Sequence, residues 1–251
     1  MEVWQYPVFF SLGLVVSIIN SLAGGGSSIS LPLLIFLGLP PTVANGTNRI
    51  GLIVGNFSSM INLRKHGHLY LPIFKQLFLP TLIGSIIGVV ALVQINDKVF
   101  QAILAIVIFF VVFLTNVKKN ILGKAPETPP TKVSLKGFLG FMAVGIYGGI
   151  IQVGVGFIQI FALSKYSGLS LIQVNALKSG LTSIFLIIST IVLGFAGKII
   201  WSIAIVMALG AWVGGYIGSR LQRKHGNEFI EKAITVVSLL MAAYLLYDLF
   251  K

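Results

Sequence analysis

The chain contains no cysteine. Disulfide frameworks, thiolate metal sites and cysteine nucleophiles are therefore excluded. Charge is scarce as well: 10% of the 251 residues are Asp, Glu, Lys or Arg, against about 25% in an average soluble domain. Acid is scarcest of all. The carboxylate side chains are Glu2, Asp97, Glu127, Glu228, Glu231 and Asp248, and none falls in the middle of an apolar run. Cation pathways and carboxylate proton relays carry such groups at membrane depth, so neither is expected. His66, His68 and His225 lie in basic loops, away from Ser27, Ser28 and Ser179, which leaves no base for an intramembrane serine hydrolase. Gly26 is followed by Ser27-Ser28 with no lysine, so the glycine run is not a nucleotide-binding loop. No catalytic group, metal site or cofactor is expected.

What remains is apolar. Hydrophobic residues make up 56% of the chain, and mean hydropathy is +0.98. Such a composition predicts an all-α integral membrane protein. The net charge of +12 then bears on topology rather than on nucleic acid. The opening MEVWQYPVFF has Glu2 and no Lys or Arg before its apolar run, so a cleaved signal peptide is not expected.

Apolar segments of membrane-spanning length fall at 7–38, 42–63, 72–94, 98–117, 135–166, 171–195, 199–220 and 228–250. The first and fifth are too long for one ordinary span, and both are interrupted by glycine. One carries Ala23-Gly24-Gly25-Gly26-Ser27-Ser28, the other Gly148-Gly149 and then Gln152-Val153-Gly154-Val155-Gly156. A basic, proline-containing stretch at 118–134 reads as a linker between a first transmembrane repeat (1–117) and a second (135–251). A shift of 130 residues superposes the halves without gaps. It carries Gly24 onto Gly154, Gly26 onto Gly156, Gly38-Leu39 onto Gly168-Leu169, Asn45 onto Asn175, Gly67 onto Gly197, and Gly84/Gly88 onto Gly214/Gly218. Duplicated halves with matched glycine-interrupted helices are a pattern of secondary transporters. The two GxxxG pairs are expected to let helices pack closely.

Basic residues decide between parallel and inverted halves. Eight full spans would divide them poorly. If the two broken segments are re-entrant and return to the side they left, 13 Lys and Arg fall on one side and three on the other, with Arg49 and Lys178 inside the membrane. The expected architecture is therefore a pair of inverted repeats, each a glycine-broken re-entrant helix followed by three transmembrane helices. The basic linker would be cytoplasmic and both termini outside.

The breaks predict a site. Irregular backbone at membrane depth requires protein or water around it, and glycine lets a ligand approach the main chain. After each break a half-helix begins, near Ser28 and near Phe157, with unpaired N–H groups and a positive dipole end; Ser27 or Ser28 is expected to cap the first. Two such starts suit an anion. Within Thr42-Val43-Ala44-Asn45-Gly46-Thr47-Asn48-Arg49, residues Asn45, Asn48 and Arg49 share one helical face. Asn175 and Lys178 share another, Lys178 aligning with Asn48. Arg49 lies about 10 Å along its helix from Thr42, so it either snorkels to the surface or acts at depth. The expected substrate-binding residues are Gly24, Gly25, Gly26, Ser27, Ser28, Asn45, Asn48, Arg49, Gln152, Gly154, Gly156, Asn175 and Lys178. Asn20, Tyr147 and Gln159 flank the breaks.

Two motifs now resemble a known family. Asn20-Ser21-Leu22-Ala23-Gly24-Gly25-Gly26-Ser27-Ser28-Ile29-Ser30-Leu31-Pro32, with Gly38-Leu39-Pro40 and Ala44-Asn45-Gly46-Thr47, is similar to the first-half signature of the TauE/SafE sulfite exporters. Gly145-Ile146-Tyr147-Gly148-Gly149-Ile150-Ile151-Gln152-Val153-Gly154-Val155-Gly156, with Gly168-Leu169 and Asn175-Ala176, resembles the second. The resemblance covers nearly the whole chain, although its second break is less rich in glycine. It implies transport of sulfite, sulfonates or related organosulfur anions across the bacterial cytoplasmic membrane. The partners to expect are a small anionic substrate and membrane lipid, with no nucleic acid. The alternatives are an anion channel of other specificity and a non-transporting assembly subunit.

Overall fold

The computed structural model describes residues 4–104, 106–107, 132–167 and 169–249, and among them the regular elements are helices. The first apolar run becomes two helices. α1 (Gln5–Ala23) stops at Gly24, whose φ of +79° is a left-handed cap closed by its N–H on the Asn20 carbonyl at 2.9 Å. α2 (Ser27–Phe36) starts three residues later. α3 (Pro41–Lys65) has proline at its first position, where a missing N–H costs nothing. α4 (Leu71–Val93) follows, then α5, helical over 97–104.

The second half repeats the plan. α6 (Leu135–Ile150) is capped by Ser134, which accepts from the Gly137 N–H at 3.2 Å. It breaks over 151–154, and α7 (Val155–Ser167) takes over. α8 (Leu171–Phe195) and α9 (Trp201–Leu249) complete it. The 130-residue shift holds in the structure. It carries both ends of α3 onto those of α8 and the start of α4 onto the start of α9. It also carries the left-handed Gly24 and Gly67 onto Gly154 and Gly197, with φ of +71° and +69°.

The halves interlock. α1 packs chiefly on α9, and α6 on α4, so each broken helix leans on the other half. The GxxxG glycines make this possible. A Cβ at Gly84 or Gly88 would collide with the carbonyl oxygens of Met142 and Ile146, and one at Gly214 with that of Leu14. α3 and α8 lie against each other in the interior.

Among the described residues, four helices are long and apolar enough to cross a membrane: Gln5–Ala23, Leu71–Val93, Leu171–Phe195 and Trp201–His225. α3 matches α8 in length but is far more polar, and its Asn45, Thr47, Asn48, Arg49, Asn56, Ser59 and Asn62 are all buried. It can lie at membrane depth because neighbouring helices surround those groups.

One expected boundary is missing. The segments 199–220 and 228–250 fall within the single helix α9 from Trp201 as far as Leu249, so two helices rather than three follow the broken pair α6 and α7. The first half turns because Asn96 caps α5, accepting from the Val99 N–H at 2.9 Å. The equivalent position is Gly226, which has no side chain to cap with, and Leu221, Gln222, Arg223 and Lys224 before it are good helix formers. The linker residues 118–131, the end of the fourth apolar segment (108–117), Gly168, Phe250 and Lys251 lie outside the described residues.

Candidate functional site

The two breaks meet. A Cβ added to Gly24 would sit 2.7 Å from the Cα and carbonyl carbon of Gly156, and one added to Gly156 would sit 2.5 Å from the Gly24 Cα. Only paired glycines permit this approach. Side chains tie the halves together around the contact. Ser27 Oγ donates to the Gln152 carbonyl at 3.0 Å. Asn45 Nδ2 donates to the Ile150 carbonyl, and its repeat mate Asn175 donates to the Leu22 carbonyl, each at 3.3 Å. Gln152 Nε2 reaches the Asn45 carbonyl at 3.4 Å; within the second half, the Tyr147 hydroxyl donates to the Val153 carbonyl.

All thirteen expected site residues are buried. Neither cation snorkels: Arg49 is 0% exposed and Lys178 1%. Each is bound to the end of a broken helix from the opposite half. Arg49 Nη1 donates to the Gly148 carbonyl at 3.2 Å, and Nη2 to those of Gly149 and Ile150 at 3.0 and 3.1 Å. Lys178 Nζ donates to the Asn20 and Ser21 carbonyls at 2.6 and 3.2 Å. Carbonyls at a helix C-terminus lack intrahelical partners and form the negative pole of the helix dipole. The cations thus neutralise the C-terminal ends of α1 and α6, while the positive N-terminal ends of α2 and α7 remain beside them.

The expected serine cap does not form. The N-cap of α2 is Gly26, without a side-chain bond; Ser27 is already helical and its hydroxyl is drawn across to Gln152. The second half-helix starts at Val155, two residues before the expected Phe157. Gly25 and Gly154 have ordinary turn roles, their carbonyls accepting from Ser28 and from Phe157 and Ile158.

Several buried polar atoms find no partner among the described residues. They include Ser28 Oγ, Asn45 Oδ1, Arg49 Nε, Gln152 Oε1, Asn175 Oδ1, Ser179 Oγ and both amide atoms of Asn48. Native proteins leave few such groups, and each calls for an explanation. Asn48 turns to α1 and α9 and lines a cavity of about 10 Å³ with Ser17, Gly51, Leu52 and Ala211, room for about one water. Of the flanking residues, Asn20 Nδ2 bonds Asn56 Oδ1 at 3.2 Å and Gln159 Oε1 accepts from the Thr182 hydroxyl at 2.7 Å.

The sequence reading missed the attachment of each cation to the opposite half's helix end. The signal was available, since helix C-termini attract cations and each break creates one.

Known proteins resemble this chain over nearly its whole length. The chain is 27% identical over 245 residues to a Haemophilus influenzae protein named "Probable membrane transporter protein", covering 96% of this chain and 94% of that one. It is 28% identical over 243 residues to the Escherichia coli "Probable membrane transporter protein YfcA", covering 96% and 89%. A Sinorhizobium protein, "Probable membrane transporter protein ORF9", is 24% identical over 239 residues, covering 95% and 91%. No solved structure gives a significant match. The sequence model described as "Sulfite exporter TauE/SafE" matches residues 9–245, and the chain, a membrane transporter rather than an enzyme, belongs to that family.

Proposed function

We propose that the protein moves a small anion (sulfite, a sulfonate or a related organosulfur anion) across the bacterial cytoplasmic membrane, through a site where the two breaks meet. One observation carries the reading: Gly24 and Gly156 touch within a buried region that holds Arg49 and Lys178. The cations cancel the negative ends of α1 and α6, and the positive ends of α2 and α7 are left for a ligand. Arg49 and Lys178 therefore act on the anion through their field and by fixing the helix ends. The backbone N–H groups of Ser27 and Gly156, with Ser28, Asn45, Asn48, Gln152 and Asn175, supply the contacts.

Reciprocal packing of each broken helix on the other half suits inverted repeats with re-entrant breaks. In that arrangement the linker and the C-terminal end of α3 face the cytoplasm and the N-terminus faces out. Export is the favoured direction, because expelling a monovalent anion from a negative interior gains roughly 2.3 kcal/mol per 100 mV. The test is a flux screen in proteoliposomes with sulfite, sulfate, thiosulfate, sulfoacetate, lactate and chloride. Selective flux of a sulfur oxyanion supports the reading; equal leakage of all six, or none, overturns it.

A further inference from the structure

The two interior helices are unlike along their second halves. On α3, Asn45, Asn48, Asn56, Ser59 and Asn62 recur at three or eight residues, which keeps them near one face. All are buried. The face meets polar groups of α1 and α9: Asn56 bonds Asn20, Asn62 Nδ2 donates to Ser219 Oγ at 2.7 Å, and Gln222 Nε2 donates to the Ser21 carbonyl at 2.7 Å. Ser59 Oγ and Gln222 Oε1 have no partner among the described residues. The row begins at the Asn48 cavity and ends at a basic mouth. There His66 Nδ1 lies 2.7 Å from the Asn62 carbonyl, and burial, with Arg223 and His66 nearby, holds the His68 pKa below its ordinary value.

The repeat mates on α8 are different. Asn56 corresponds to Leu186, Asn62 to Val192 and Gly55 to Phe185. Phe185 is fully buried against Gly148, in a core with Leu186 and Val89. Ser189, the mate of Ser59, turns its hydroxyl back to the Phe185 carbonyl at 2.6 Å. Polar groups on α8 thus give way to an apolar plug where those on α3 continue. The α3 side is closed by a tight contact, where a Cβ added to Gly215 would sit 2.1 Å from the Gly55 carbonyl oxygen.

We propose that the α3 face toward α1 and α9, from Asn48 through Asn56 and Ser59 to Asn62, is the hydrated route between the central site and the basic mouth, and that the matching corridor beside α8 is a dry barrier. The route rests on the transport reading and extends it: water and a hydrophilic anion pass along amide and hydroxyl groups on one side of the site only. Opening it exchanges the Asn20–Asn56 and Asn62–Ser219 bonds for bonds to water, at small net cost.

The absence of native cysteine makes the test direct. Ser59→Cys and Ser189→Cys are near-isosteric changes at repeat-equivalent, fully buried positions. Each purified variant, reconstituted and shown to be folded by its chromatographic profile, is treated with a membrane-impermeant, sulfonate-bearing methanethiosulfonate reagent. Asn62→Cys and Val192→Cys form a second pair. The expected result is labelling at least tenfold faster at Ser59→Cys than at Ser189→Cys, and likewise for the second pair, from the side bearing the linker. Equal rates, faster labelling on α8, or no labelling of folded Ser59→Cys overturns the route. Labelling reports water access whatever the cargo, so an anion screen without flux leaves this result standing and tells against the substrate reading alone.

Discussion

The Arg49 guanidinium crosses the repeat boundary to the Gly149 carbonyl, 3.0 Å away. Lys178 makes the reverse crossing to Asn20, but the two ties differ in what their loss leaves behind. The Asn20 carbonyl also accepts from the Gly24 N–H, and that of Ser21 from Gln222. Of the three carbonyls held by Arg49, only that of Ile150 has a second donor among the described residues, Asn45. A buried acceptor stripped of its partner costs about 1–3 kcal/mol. Arg49→Ala is therefore expected to lower stability by about 3 kcal/mol or more, and Lys178→Ala by less. Both should abolish anion flux, because both leave a negative helix end beside the site. Thermal unfolding in detergent and proteoliposome flux check this. Equal stability loss would remove the carbonyl argument, and normal flux would remove the electrostatic one.

The Gly24–Gly156 contact has no slack. Gly156→Ala would drive its new methyl into the Gly24 backbone, and Gly24→Ala would add left-handed strain at φ +79°. Gly25→Val would crowd the same break. These variants are expected to lose transport, with stability falling by about 2 kcal/mol or more for the first two. Gly38→Ala is the control. Its φ is +93°, but nothing lies within 4 Å of the added Cβ, so the cost is conformational alone, about 1–2 kcal/mol, and transport survives. Flux and unfolding temperature across the series separate collision from strain.

The duplication, the positions of both breaks, the close-packing glycines and the placement of Arg49 and Lys178 inside apolar segments could all be read from the sequence, whereas their burial rather than snorkelling could not. Each is written in residue type and spacing: a left-handed turn asks for glycine, and a constant offset survives substitution. What could not be read depended on which helices become neighbours. The guanidinium of Arg49 needs acceptors, but nothing local says that they are the carbonyls of residues 148–150. Ser27 looked like a cap because serine caps helices, and it lost that role to a long-range acceptor, Gln152. The fusion of two expected helices into α9 turned on one missing cap at Gly226, below the resolution of a hydropathy pattern. Asn56, Ser59 and Asn62 were visible at helical spacing, yet their contrast with α8 takes meaning only once α3 and α8 stand side by side.

Asn48 separates stability from function. Its amide is fully buried and neither atom is bonded among the described residues. Asn48→Leu removes the unpaired groups, keeps the volume similar and faces a cavity that accepts a small adjustment. Stability is expected to rise by about 1 kcal/mol, while flux falls at least tenfold. That combination is the mark of a polar group retained for a ligand rather than for the fold. Loss of both stability and flux would instead make Asn48 part of the scaffold.

Asp97 supplies a separate pH dependence at the start of α3. Its carboxylate accepts the Thr42 N–H at 2.9 Å, capping the first turn of α3 from the head of α5. Hydrogen bonding from Thr42, helped by Lys198, holds its pKa below the usual 3.8 against a smaller opposing effect of burial. Because the folded pKa is depressed, the stabilisation is complete above the unfolded value and is lost as pH falls through the folded one. At neutral pH Asp97→Ala is expected to cost about 1 kcal/mol, the ordinary price of a helix cap. On acidification below the ordinary carboxylate range, wild type should lose its advantage and the two unfolding temperatures converge. Unfolding temperatures measured for both proteins from pH 7 downward test the sign. A gap that widened in acid would mean that the protonated carboxyl is the better cap.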